Sequence, residues 1–229
     1  MPADQAAPAV AAPVGVLVDL SHPIEHGMPV YPGDPEVAIG PALSIGADGV
    51  DVTALHLGSH TGTHVDAPSH TIAGGRTMAD VSLSELFGDA IVVRVRDAVA
   101  GEVLGWARLR AAAELPEKLP PIVLVDTGWS QWFHDERRTR HPSLSADAAR
   151  ELLRRGMRVL AVDTLSPDAT DPASADFPVH AAVLGNDALI VENVRGLDAV
   201  PDRVRVGFFP LRLAGDGAPV RAVAFLPTA

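Results

Sequence analysis

One stretch of the chain reads His60-Thr61-Gly62-Thr63-His64-Val65-Asp66-Ala67-Pro68-Ser69-His70 and holds three imidazoles and one carboxylate. These four polar positions share the same parity, so an extended backbone would direct their side chains to one side. On a helix, Asp66 and His70 would turn away from His60 and His64. The β-branched residues between them also favour extended backbone. The stretch therefore predicts a β-rich fold in which a strand end presents metal-binding side chains.

The composition of the chain limits its size class and its partners. With 229 residues, 47% of them hydrophobic, it can bury a core as one domain. A formal charge of −11 and a pI near 5.1 argue against nucleic-acid binding, which usually needs a basic patch. Cysteine is absent, so a metal would be held by nitrogen and oxygen ligands, and the chain resembles an ordinary cytoplasmic protein.

The start of the chain differs from the rest. Residues 1–14 are rich in Ala and Pro and lack a positive n-region, so we expect a disordered tail that is neither signal peptide nor anchor. No later apolar run reaches the roughly 18–20 residues needed to span a bilayer, so a membrane is not an expected partner. The predicted catalytic domain is residues 15–229.

Short apolar runs between turn residues predict many strands and few helices. The clearest helix begins after Ser145, a good N-cap, and ends before Gly156. A second helix is predicted over 102–114, a helical turn over 82–87 and a loop over 163–178. This pattern favours a mixed sheet of α/β (mixed α+β) type. The predicted strands are 15–20, 37–43, 50–57, 90–95, 122–125, 158–162, 188–194, 204–213 and 220–226.

The ligand-type side chains favour a divalent first-row ion such as Zn²⁺ or Mn²⁺. Zn²⁺ lowers the pKa of bound water to about 7, which makes hydroxide available for hydrolysis. Two distant residues are candidates to complete the site. Glu192 lies in an apolar strand, where an unpaired carboxylate would be costly, and His180 lies between Phe177-Pro178-Val179 and another apolar run.

The same stretch resembles the H-x-G-T-H-x-D-x-P-x-H signature of the metal-dependent cyclase family, which includes the bacterial kynurenine formamidases. Further blocks resemble the family in the same order, so the resemblance extends from Val16 to Leu226. It implies one domain with a mixed, barrel-like sheet and a few flanking helices, of the swivelling β/β/α type. The further blocks are Asp19-Leu20-Ser21, Tyr31-Pro32-Gly33-Asp34, Thr127-Gly128-Trp129, Asp163-Thr164-Leu165-Ser166-Pro167-Asp168 and Pro219-Val220-Arg221-Ala222.

The resemblance also implies roles for residues. One metal would be bound by His60, His64 and Asp66, and a second by Asp66, His180 and Glu192. His70 would be the catalytic acid/base, and Tyr31 would lie against the substrate ring, where the formamidases commonly carry Trp. The family implies two Zn²⁺ per chain, with Mn²⁺ as the alternative ion, and a homodimer or homotetramer.

Several alternatives remain open at the level of sequence. His70 could be a metal ligand, Tyr31 could only pack its turn, and His56 could support the site or be solvated. Ser59 does not fit a nucleophile elbow. The lone histidines His22, His26, His134 and His141 are interpreted as structural or surface residues. Asp163, Asp168 and Asp171 are interpreted as loop residues that initiate turns. Trp129 and Trp132 are interpreted as packing residues.

The resulting functional prediction is a metal-dependent amidohydrolase with a small-molecule substrate. Its leading substrate is N-formyl-L-kynurenine, converted to L-kynurenine and formate in tryptophan catabolism. One alternative is a hydrolase or cyclase that acts on another cyclic amide or lactone, as isatin hydrolase does, or in natural-product assembly. The other is a non-catalytic metal-binding scaffold.

Overall fold

The computed structural model describes residues 15–171 and 176–227, so the predicted tail over 1–14 lies outside the described residues. Strands and helices alternate irregularly along the chain. The strands are β1 (Leu17–Asp19), β2 (Ala38–Leu43), β3 (Val52–His56), β4 (His64–Asp66), β5 (Phe87–Arg94), β6 (Val103–Leu104), β7 (Ile122–Asp126), β8 (Ser143–Leu144), β9 (Val159–Val162), β10 (Leu189–Glu192), β11 (Arg203–Pro210) and β12 (Gly217–Phe225). The α-helices are α1 (Ile45–Asp48), α2 (Trp106–Ala112), α3 (Ala146–Arg154) and α4 (Pro178–Leu184).

A closed mixed sheet forms the centre of the molecule. Its strands follow the order β12-β11-β5-β7-β9-β10-β4, and β4 then pairs with β12 to close the ring. Strands β5, β7, β9 and β10 run parallel, whereas the remaining neighbours in the ring are antiparallel. Closure pairs each strand of the ring on both sides, which limits the exposed edges that invite aggregation, and β1 adds a short edge strand on β12. The predicted α/β fold with a barrel-like core and few helices is confirmed.

Two hydrophobic clusters lie on opposite faces of this sheet. One draws side chains from all seven strands of the ring, among them Leu124 and Phe208, and fills the barrel. The other joins the opposite face to α2, α3 and α4, and includes Val123 and Leu152. Because both faces of β7, β9 and β10 are covered, these strands are buried at every position, and their sequences are apolar except for the carboxylates that end β7 and β10.

The helix predicted after Ser145 is confirmed as α3. The Ser145 hydroxyl accepts a hydrogen bond from the Ala148 amide at 3.1 Å, which satisfies one of the unpaired donors of the first turn. Gly156 follows the helix with a φ of 110°, a conformation that favours glycine. Both ends of the helix were therefore readable from single residues.

The prediction that residues 60–70 are extended throughout is wrong. Only β4 is a strand, because Gly62 adopts a φ of 63° before it and Pro68 begins a 3₁₀ turn over Pro68–His70 after it. The run 15–20 forms only the short edge strand β1, and both its first residue, Leu17, and the preceding Val16 are exposed rather than buried. Turn geometry interrupts the 60–70 segment, and the position of β1 at the edge of the sheet leaves its side chains exposed. A pattern of apolar residues shows neither feature.

Three further elements differ from prediction. The 102–114 segment contains the short strand β6 before α2, and the predicted helical turn over 82–87 is a non-helical turn leading into β5. The loop predicted to run to residue 178 ends at α4, a helix that the sequence pattern did not indicate. Strands β2 and β3 form a separate hairpin.

Within the described ranges, no helix is long and apolar enough to cross a membrane.

Candidate metal centre

Strand β4 brings most of the candidate ligands together. It lies between β10 and β12, and its register places His64 opposite Glu192. Val65 points into the barrel interior, so alternation directs His64 and Asp66 to the opposite face. His60 reaches the cluster from the turn before β4, and His180 reaches it from α4.

Among the described residues, three groups of ligand-type side chains result, of which two contain Asp66 and the third consists of His60, His70 and Asp216. In the first, Asp66 Oδ1 lies 2.8 Å from His60 Nδ1 and 3.3 Å from His64 Nε2. In the second, His180 Nε2 lies 3.7 Å from Asp66 Oδ2 and 3.3 Å from Glu192 Oε1. The two groups share Asp66, and Glu192 Oε2 lies 3.3 Å from His64 Nε2. The structure thus brings together all five residues that the resemblance implied as ligands.

Three buried atoms of this cluster lack a hydrogen-bond partner among the described residues. They are His64 Nε2, Asp66 Oδ2 and Glu192 Oε1. Leaving such groups unpaired costs folding free energy. Two ligands bound about 2.1 Å from one tetrahedral ion lie about 3.4 Å apart, which is close to the spacing seen here. The residues present therefore fit divalent cations held by imidazole and carboxylate groups.

Other groups orient the two buried histidines. His64 Nδ1 donates to the Gly62 carbonyl at 2.9 Å, and His180 Nδ1 lies 2.7 Å from Asp168 Oδ2. Both Nε2 atoms consequently face the cluster, as is usual for metal-binding histidines. Asp168 also accepts hydrogen bonds from the backbone amides of Val179 and His180. Because it orients a candidate ligand, the prediction that it is a simple loop residue is wrong. Its partner lies on a helix that the pattern did not indicate.

The cluster has an electrostatic bias toward positive charge. Burial lowers the pKa of His64, but Asp66 and Glu192 outweigh it and raise that pKa to about 10. Burial also opposes charge on His180, yet Asp168, Asp66 and Glu192 raise its pKa well above the ordinary value. Although burial opposes their ionisation, the facing histidines lower the carboxyl pKa values of Asp66 and Glu192. Cations are therefore favoured at this position.

His70 lies beside the cluster, and the residue it contacts was missed. Its ring centroid is 4.0 Å from that of His60 and 5.7 Å from that of His180. His70 Nδ1 lies 3.1 Å from Asp216 Oδ2, which also lies 2.8 Å from His60 Nε2. The sequence showed Asp216 only as the middle of a Gly-Asp-Gly turn. Its role depends on a contact across 146 positions of the chain.

A cavity of about 230 Å³ opens onto these side chains. Tyr31 and Phe177 form aromatic walls with ring centroids 6.5 Å apart, and Asp34 lies half-buried on the same lining. Phe177 also meets the His180 ring edge-on at 5.7 Å. The structure therefore places Tyr31 at the cavity, where it can meet a bound molecule. An aromatic compound can pack against these rings beside the ligand cluster.

The remaining residues of ligand type lie elsewhere. His56 is exposed on β3, so it does not support the cluster. His22 stacks on Phe133 with centroids 4.0 Å apart, and buried His141 bonds Pro142 O and Thr170 Oγ1, so both are structural as predicted. Asp163 is buried and accepts bonds from Thr127 and Trp129, which corrects its interpretation as an ordinary loop residue.

Comparison with known proteins places the chain in a family. The family model described as "Putative cyclase" matches residues 18–169. The chain belongs to the cyclase family. It is 32% identical to a kynurenine formamidase of Paracidovorax citrulli (strain AAC00-1) over 93% of this chain and 97% of that protein. It is 33% identical to a kynurenine formamidase of Maricaulis maris (strain MCS10), with 90% and 95% covered.

Solved structures agree with this placement of the cyclase-family chain. An isatin hydrolase bound to the product analogue thioisatinate superposes with a TM-score of 0.82 at 21% identity, over 93% of this chain and 92% of that one, which shows a shared fold. A potential metal-dependent hydrolase with cyclase activity gives a TM-score of 0.75 at 26% identity, with 93% and 99% covered. The relatives and the ligand cluster make the chain a metal-dependent hydrolase. The non-catalytic alternative has no support.

Proposed function

We propose that this hydrolase cleaves an aryl formamide, with N-formyl-L-kynurenine as the leading substrate, to an aryl amine and formate. The observation that carries the proposal is the cluster of buried imidazoles and carboxylates at the lining of an aromatic-walled cavity. The kynurenine formamidases among its relatives support the choice of substrate.

Divalent ions would be held by two overlapping sets of side chains. His60, His64 and Asp66 would form one set, and Asp66, His180 and Glu192 the other. When bound, the ions would lower the pKa of water and stabilise negative charge on the substrate carbonyl oxygen. Zn²⁺ is the leading ion and Mn²⁺ the alternative, with up to two per chain, because nitrogen and oxygen ligands suit both.

His70 would move the proton between water and the leaving group. It lies on the cavity lining beside His60 but is outside the two overlapping ligand sets. Hydrolysis adds water across the C–N bond, so the proton taken from water goes to the amine nitrogen as that bond breaks. An imidazole can accept and then donate this proton near neutral pH. This assignment makes His70 the catalytic acid/base.

Tyr31 and Phe177 would bind the aryl ring of the substrate. Their facing rings offer apolar surface to one side of the cluster, and aromatic pairs prefer such tilted or stacked arrangements. The formamide carbon would then lie next to the ligand cluster. Assembly as a homodimer or homotetramer and a cytoplasmic location stay predictions.

A substrate panel tests the proposal. The protein, reconstituted separately with Zn²⁺ and Mn²⁺, is assayed for formate release from N-formyl-L-kynurenine and for ring opening of isatin, a lactone and a cyclic imide. We expect kcat/KM to be highest for the formamide. Faster turnover of a cyclic amide or lactone would reject the formamide and leave the hydrolase assignment. A His70→Ala protein serves as the matched control for metal-catalysed background hydrolysis.

A further inference from the structure

Asp216 joins two histidines through one oxygen atom. Its Oδ2 lies 2.8 Å from His60 Nε2 and 3.1 Å from His70 Nδ1. Its other oxygen, Oδ1, accepts the Ser59 hydroxyl at 3.0 Å. Both oxygens of this carboxylate are thus engaged, and every partner lies on the segment 59–70 that supplies the candidate ligands and the candidate acid/base.

The backbone fixes the position of this carboxylate. The Ala67 amide donates to the Asp216 carbonyl and the Met78 amide donates to the Gly215 carbonyl, each at 2.8 Å. Strand β12 begins at Gly217, directly opposite Asp66 in β4. Main-chain bonds to Asp216 and to the preceding Gly215 therefore hold this turn beside β4, although the Asp216 side chain is 42% exposed.

The acceptor role of Asp216 defines the tautomers of both histidines. An ionised carboxylate can only accept, so His60 Nε2 and His70 Nδ1 each carry a proton toward it. The remaining nitrogen of His60, Nδ1, then faces Asp66 in the ligand cluster. The remaining nitrogen of His70, Nε2, is left for proton exchange in the cavity. Asp216 Oδ2 thus determines which nitrogen of each imidazole ring is protonated and which is left free.

We infer that Asp216 is a positioning residue that holds His70 in the Nδ1–H tautomer and presents Nε2 to the substrate. The inference rests on the proposed function, because it needs His70 to act as the acid/base. Its action is indirect, since Asp216 is absent from the residues lining the cavity. In other enzymes, loss of a carboxylate that orients a catalytic or metal-bound histidine costs between about 10-fold and 10⁴-fold in rate or metal affinity.

Kinetics at full metal occupancy test this role. In the metal-saturated enzyme we expect Asp216→Ala to lower kcat roughly 100-fold, with KM changed less than about threefold and metal content equal to wild type. Asp216→Asn keeps an accepting oxygen and is expected to lose less, roughly 10-fold. The matched control Ser59→Ala removes only the Oδ1 contact and should stay within about threefold. A loss that added metal fully reverses, or no loss at all, would overturn the inference.

The tautomer of His70 gives a readout that needs no substrate. The zinc-loaded protein, labelled with ¹⁵N at histidine, should show His70 protonated at Nδ1, with its resonances assigned by their absence in His70→Gln. Asp216→Ala should shift His70 toward the Nε2–H form. A wild-type His70 protonated at Nε2 would overturn the inference even if a variant failed to fold. The expected tautomers without formamide turnover would instead reject only the proposed substrate.

Discussion

At the scale of single residues, two buried histidines differ in pKa because the charged groups around them differ. Burial, with nearby Arg195 and His134, lowers the pKa of His22 to about 4. His64 is also buried, yet two carboxylates raise its pKa to about 10. Burial alone therefore does not mark a metal ligand. The charge of the groups around the ring distinguishes a packed histidine from one at a cation site.

His70 is the residue whose loss should separate chemistry from metal binding. We expect His70→Ala to lower kcat by at least about 100-fold, since general acid–base catalysis contributes 10²–10⁴-fold. Metal content, measured by elemental analysis, should stay at the wild-type level if His70 is the acid/base, whereas a ligand role in the group His60, His70 and Asp216 would lower it. If metal and activity fall in proportion, His70 is a ligand.

His22 should make the protein acid-sensitive. Its folded pKa of about 4 lies below the ordinary 6.5, so the native state favours the neutral ring. That contribution to stability is fully present above pH 6.5 and is lost as the pH falls toward 4, by about 2 kcal/mol at pH 5. Chemical denaturation measures the free energy of unfolding at pH 7.5 and at pH 5.0. Between these pH values, His22→Phe should lose about 2 kcal/mol less of that free energy than wild type.

The control for His22 is an exposed histidine. His56→Gln should lose the same free energy of unfolding between the two pH values as wild type, since His56 lies in solvent on β3. If His22→Phe and wild type lose the same free energy of unfolding on acidification, His22 does not cause the acid sensitivity.

At the scale of elements, the site depends on the packing of β4 between β10 and β12. Strand β4 has only three residues, and its pairing on both sides fixes the direction of Asp66. The approach of β12 is close. A Cβ added to Gly217 would lie 2.7 Å from His60 Cε1 and 2.9 Å from the Val65 carbonyl oxygen. Only glycine fits here without moving a candidate ligand or the strand.

Gly217→Ala should therefore damage the site through sterics alone. Its φ is not positive, so the substitution adds a clash and no backbone strain. We expect metal affinity to fall roughly 10-fold or more as His60 is displaced, measured by competition with a chelator. Gly40→Ala on β2 is the matched control, because a Cβ there meets nothing within 4 Å. Equal affinity in both variants would contradict the expected displacement.

At the scale of the whole molecule, the candidate ligands come from three separate parts of one rigid barrel. The segment 60–66, helix α4 and strand β10 meet because β4 pairs with β10 and α4 packs against β10. Unpaired buried atoms remain where they meet. In the absence of ions, these atoms of the groups that would bind them are therefore buried without partners and destabilise the folded chain.

Metal removal should accordingly destabilise the entire domain. We expect elemental analysis to find up to two divalent ions per chain in protein purified without chelator. One site at free metal 1,000 times its Kd adds about 4 kcal/mol, so chelation should lower Tm by roughly 8–16 °C. Calorimetry with and without chelator measures this. Absence of stoichiometric metal, or an unchanged Tm, would reject the two-ion assignment.

Much of the fold was predictable because it depends on local pattern. Apolar runs located the buried strands β7, β9 and β10, and Ser145 with Gly156 located α3. The class of site was also predictable, since three histidines and an aspartate in eleven positions are a local feature. The resemblance to the cyclase family is confirmed by the family match. The individual roles of the ligands stay predictions.

What the sequence by itself determined was the set of side chains able to bind metal and the buried strand that carries Glu192. Only the tertiary structure decided that β4 closes the barrel, that Asp168 orients His180, and that Asp216 joins His60 to His70. The physical reason is distance along the chain. Asp216 and His70 are separated by 146 positions, so their contact follows from sheet closure and from no local propensity.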